Sequence, residues 1–228
     1  MKASTPSLIF YSLACFGYVL FSLLEMEGLV LCSKSIVVPC IFVYYFIENK
    51  YRIDWIIGLI FLSCFLGDVV VLFNIEHALL LSVYFFLLVY VLLLKYVLED
   101  SKKVDFAKKD ALPIFIIVLF LIYLLITILN IQFINAPQDN LAFIIYGITL
   151  LILSVISVSN YISKGCVCLF YMTLAVICFI FSDVFYALDN FYFSNKIFYL
   201  ITLATQVVCY YFMVQYLLKR NKVVRKLN

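Results

Sequence analysis

The sequence predicts an all-α polytopic membrane protein with eight transmembrane helices, and three observations carry that prediction. Of its 228 residues 67% are apolar and 13% charged, with a mean hydropathy of +1.16, whereas soluble domains hold roughly 45–50% and about 25%. A chain of this length cannot hide such an excess in an aqueous core, so its solvent is the lipid bilayer. The apolar residues fall in eight runs between polar breaks, each close to the ~20 residues that a spanning helix needs. The runs lack the alternation of a membrane barrel, and open sheets cannot face lipid.

The predicted spans are, in order, 8–24, 29–47, 55–73, 79–98, 112–129, 141–161, 166–188 and 197–218. They are separated by "EMEG", "ENKYRID", "NIEH", "EDSKKVDFAKKDALP", "NIQFINAPQDN", "SKG" and "DNFYFSN", all rich in helix-breaking or charged residues. The first span is too long for a removable signal peptide and lacks a cleavage site, so it is expected to stay as an anchor. The chain thus reads as one eight-helix membrane domain. With 23 Phe and 18 Tyr against six Gly, its helices are expected to pack through rings more than through small-residue contacts.

Placing the N-terminus inside gathers fourteen of the 16 basic residues on the cytoplasmic side: Lys2, Lys50, Arg52, Lys95, Lys102, Lys103, Lys108, Lys109, Lys164, Lys219, Arg220, Lys222, Arg225 and Lys226. Only Lys34 and Lys196 fall outside. By the positive-inside rule both termini are cytoplasmic, and the expected location is a bacterial cytoplasmic membrane. The basic tail "KRNKVVRK" reads as a topological anchor, with contact to anionic headgroups as the alternative. Because the cations lie where topology needs them, the net charge of +3 does not point to nucleic acid. The eight cysteines lie mostly within apolar runs with no CxxC pair, and His77 is the single histidine. No metal site is therefore expected, and the thiols read as small buried hydrophobes.

Two acids break the hydrocarbon. Asp68 interrupts "GLIFLSCFLGDVVVLFN" in span three, six residues before Asn74, and Asp183 lies in span seven, six residues before Asp189. Both spans run outward, so each carboxyl sits roughly 9 Å below the outer break. Ionisable groups at such depth are costly and mark function. The shared small-Asp-Val motif, four spans apart, also points to two parallel four-helix halves. Lys34, Glu25, Glu27, Asn190 and Gln206 gather toward the same side, while spans four and six offer little beyond hydroxyls and Tyr146. The polar interior thus reads as a single pocket open to the outer leaflet. In a duller reading, Lys34 is a structural partner for one of the aspartates, tying helices together.

A close pair of carboxyls can divide acid and base roles. With no serine elbow, Gly-rich phosphate loop or HExxH sequence, acid–base hydrolysis is the enzyme chemistry these residues permit.

Four pieces resemble the YhhN family of membrane lysoplasmalogenases: "SKSIVVP", "FLGDVVVLF", "IFSDVFYALDNFYF" and "YYFMVQYLL". Their order and spacing agree with the family over nearly the full length. The resemblance implies cofactor-free hydrolysis of the sn-1 vinyl ether of a lysophospholipid, the lysoplasmalogen, to a fatty aldehyde and a glycerophospho-alcohol. It implies Asp68 and Asp183 as catalytic residues and Lys34, Asn190, Gln206, Tyr211 and Gln215 as substrate contacts, Lys34 as a point charge for the phosphate. Two departures stand out: Ser35 replaces the proline expected after Lys34, and span four lacks the histidine that many relatives carry. The competing readings are a proton-coupled transporter of small molecules or lipids that uses the same aspartates, and a non-catalytic membrane scaffold.

Overall fold

The computed structural model describes residues 4–73, 77–102, 104, 110–135 and 140–227, the side chains of 133–135, 140 and 222–227 excepted. Lys2, Asn74, Lys103, Lys108 and Lys109, and the side chains of Lys222, Arg225 and Lys226, lie outside the described residues. Among those described there are eight helices and no strand: α1 (Thr5–Leu23), α2 (Glu27–Glu48), α3 (Trp55–Leu72), α4 (Ala78–Ser101), α5 (Ala111–Asn135), α6 (Asn140–Lys164), α7 (Val167–Phe191) and α8 (Lys196–Leu227). All eight are long and apolar enough to cross a membrane. The chain is an integral, multi-pass, all-α protein.

The helix ends follow from local chemistry. Pro6 sits in the first turn of α1, where a missing N–H costs nothing. α1 and α2 both end in a turn that uses a left-handed residue. Glu25 (φ 58°) lets Met26 N–H reach the Phe21 carbonyl at 3.0 Å, and Lys50 (φ 58°) lets Tyr51 N–H reach Phe46 at 2.9 Å. Glycine normally fills that position; among the described residues the α6 end uses one, Gly165 at φ 63°. Five helices run further than the polar breaks suggest, α4 to Ser101 and α6 to Lys164 among them. α5 continues to Asn135, α7 includes Asp189 and Asn190, and α8 runs on through the basic tail. In α7, the Asp189 carboxylate accepts the Asn195 N–H at 2.8 Å, and the Leu188 carbonyl accepts from Tyr192 and Phe193. Those bonds cap the helix below the loop, so polar residues there do not end it.

The helices form two compact units. Unit 1 comprises residues 1–89 and 210–228, and unit 2 residues 90–209. The division therefore passes through α4 and α8 rather than after the fourth helix. In unit 1, α1 and α2 form an antiparallel hairpin, and α3 packs on α2 through Phe42–Phe61 (5.1 Å) and Tyr45–Phe61 (5.6 Å) ring pairs. In unit 2, α6 packs on both α5 and α7. Rings dominate again, with Tyr90 edge-on to Phe179 at 4.9 Å. Close approach nonetheless uses two glycines. A Cβ on Gly67 would lie 2.9 Å from the Phe86 ring, and one on Gly147 2.5 Å from Leu125.

Candidate functional site

In unit 1 the buried face of α3 carries Ile57, Ile60, Phe61, Cys64 and Asp68. This is the spacing of one helical stripe, and it turns the Asp68 carboxylate inward until the residue is 2% exposed. α2 does the same for Lys34, on a stripe with Val37, Val38, Ile41 and Tyr45. The two charges meet with Lys34 Nζ 3.7 Å from Asp68 Oδ1. The ammonium also lies 5.5 Å from the centroid of the buried Tyr18 ring, a cation–π contact. On the other carboxylate oxygen, Asp68 Oδ2 accepts the Tyr210 hydroxyl of α8 at 2.7 Å. Desolvating either charge alone would cost several kcal/mol; the ion pair, the phenol and the ring offset that cost. Gly67 makes the close packing beside Asp68 possible, since the Ser82 hydroxyl of α4 donates to its carbonyl at 2.9 Å.

In unit 2 three helices converge on Asp183. The Tyr146 hydroxyl of α6 donates to Asp183 Oδ2 at 2.7 Å and the Tyr90 hydroxyl of α4 at 3.0 Å. The two hydroxyls lie 3.0 Å apart, so the three oxygens form a closed triangle. No cation pairs with Asp183 among the described residues. The rings of Tyr90 and Tyr146 pack at 5.1 Å, which holds the phenols in place.

The remaining predicted site residues have partners of their own. Gln215 donates to Tyr44 Oη at 3.2 Å. Tyr211 is half-buried and packs on Phe212. Asn190 is exposed and donates to the Tyr186 carbonyl of its own helix at 2.9 Å. Gln206 is half-buried, and Glu25, Glu27 and His77 are exposed. Asp68 and Asp183 belong to different units, and each has its own set of partners. Among the described residues no three His, Cys, Asp or Glu side chains come together as a metal site would require.

Sequence reasoning misses Tyr18, Tyr90 and Tyr210. It also underrates span four, whose Tyr90 is one of the two phenols on Asp183. Residues 207, 210, 213, 214 and 217 of α8 form a buried stripe, and Tyr211 stands one step off it.

Residues 29–221 match the YhhN family, and the chain belongs to that family. No curated protein and no solved structure matches it.

Proposed function

We propose, with YhhN membership as the premise, that this membrane protein is a lysoplasmalogenase-like hydrolase. It would cleave the sn-1 vinyl ether of a lysoplasmalogen to a fatty aldehyde and glycerophosphoethanolamine or glycerophosphocholine. The observation that carries the reading is a pair of aspartates in apolar helices, each gripped by tyrosine hydroxyls. Intramembrane acids so held are functional by default.

Vinyl ether hydrolysis begins with a proton delivered to the β-carbon, which leaves an oxocarbenium ion. Water adds to the carbon bonded to the ether oxygen and loses a proton, and the resulting hemiacetal collapses to the aldehyde and the alcohol. The partners of the two acids support a division of labour. Asp183, held by two phenols, is the proton donor. Asp68, paired with Lys34, is the carboxylate that stabilises the cation or receives the proton of the attacking water. Lys34 also supplies a point charge for the substrate phosphate, and Asn190, Gln206, Tyr211 and Gln215 are the candidate headgroup contacts. The cytoplasmic placement of both termini belongs to the same proposal.

The test is aldehyde release from a lysoplasmalogen by purified protein in micelles. Asp68→Asn and Asp183→Asn should each abolish it while leaving thermal unfolding cooperative. Full activity in either variant removes that aspartate from the chemistry. Wild-type protein that moves protons with a substrate in liposomes, yet forms no aldehyde, would put the transporter in place of the hydrolase.

A further inference from the structure

The α2–α3 turn of unit 1 exposes an unusual set of side chains. Lys50, Tyr51, Arg52 and Trp55 are all exposed, Tyr51 by 66% and Trp55 by 73%. Two consecutive residues, Lys50 and Tyr51, adopt left-handed backbone (φ 58° and 60°) without being glycine, a strained conformation for a residue with a Cβ. The conformation is held from beneath. Buried Asn49 donates to the Arg52 carbonyl at 2.5 Å and to Tyr45 Oη at 3.0 Å, and Asn221 of α8 donates to the same phenol at 2.9 Å.

Charge at this end of the unit is mainly positive. Neither Lys50 nor Arg52 forms an ion pair among the described residues. Asn221 brings the basic end of α8, with Lys219 and Arg220, to the same place. Of the two acids in the segment, Glu48 accepts the Ser4 hydroxyl and Asp54 sits at the N-cap of α3. Exposed rings beside cations at the mouth of a spanning helix match the chemistry of the headgroup region, where Trp and Tyr anchor and cations attract phosphate.

We propose that this turn docks the phosphate headgroup of an anionic bilayer lipid, with Lys50 and Arg52 as the phosphate-binding cations and Tyr51 and Trp55 as ring anchors. The site shares no residue with either aspartate cluster and does not depend on the hydrolase reading. Its ligand is a lipid of the surrounding leaflet, and the buried Asn49–Tyr45–Asn221 network positions the cations before the lipid arrives.

Trp55 is the single tryptophan of the chain, so its fluorescence reports on this turn alone. The full-length protein is placed in bilayers of phosphatidylcholine and phosphatidylglycerol, with brominated acyl chains on one lipid or the other. Bromine on phosphatidylglycerol should quench Trp55 more strongly than its mole fraction predicts. The expected enrichment is about fivefold per engaged cation, and added salt should reduce it. Lys50→Gln with Arg52→Gln should bring the two lipids to equal quenching, and Lys50→Arg with Arg52→Lys should keep the preference. Equal quenching in the wild type overturns the proposal, as does a preference that survives the double glutamine variant. Loss of the preference on adding inorganic phosphate at constant ionic strength also overturns it, because that result marks a site for a free anion.

Discussion

Asp68 and Asp183 face the same difficulty, a carboxyl group among apolar helices, and meet it with different partners. Asp68 has a cation on one oxygen and a single phenol on the other. Asp183 has two phenols on one oxygen and no cation among the described residues. The first arrangement balances charge with charge. The second holds the carboxyl by neutral donors that also touch each other. Under the proposed function, two acids of one type take different work from their neighbours, the general way in which carboxyl pairs acquire distinct roles.

The comparison can be broken most directly at the acids. Asp68→Asn and Asp183→Asn should each lower aldehyde release by more than about a thousandfold, the scale lost when a group essential to the chemistry is removed. A variant that retains a tenth of the activity would show that its unit serves another purpose.

Lys34→Met should separate the two units by stability. It leaves Asp68 buried without its cation, a loss of about 3 kcal/mol or more, while Asp68→Asn in the same chain should restore most of that stability. Chemical unfolding in micelles gives both values. If Lys34→Met costs nothing alone, the ion pair does not hold the unit together.

Gly67→Ala and Gly147→Ala test the close contacts of each unit. The Phe86 and Leu125 side chains must shift to admit the methyl group, at about 1–3 kcal/mol each. Both substitutions should also lower activity, because Gly67 precedes Asp68 and Gly147 follows Tyr146, which bonds Asp183.

The phenols should give losses of similar size. Tyr210→Phe removes a short bond to Asp68 and should cost about 1.5–3 kcal/mol. Tyr90→Phe should cost less, because Tyr146 still bonds the same oxygen. Tyr90→Phe with Tyr146→Phe should exceed the sum of the single losses, a coupling that a double-mutant cycle measures. Additive losses would mean that the triangle of oxygens does not act as a unit.

Much of this was legible from the residues alone. The eight spans agree with the helices to within a few residues at most ends, because a bilayer demands apolar runs of fixed length. The overruns at α4, α5, α6, α7 and α8 arise where polar residues remain compatible with helix once past the apolar stretch. The two aspartates stand out because few other acids interrupt the hydrocarbon. Their tyrosines do not stand out, because 18 tyrosines spread through the chain and a phenol looks the same in sequence whether it faces lipid or a carboxylate. Tyr210 and Tyr211 are adjacent, and only the buried stripe of α8 separates them.

The sequence by itself determined the class, the number of spans and the two positions where charge enters the membrane, because hydropathy is a property of each residue and its immediate neighbours. Tertiary structure alone decided that Lys34 would pair with Asp68 and that Tyr90 and Tyr146 would gather on Asp183. Those partners lie 34, 93 and 37 residues from the acids they hold. Only the packing of helices can bring groups so far apart in the chain within bonding distance.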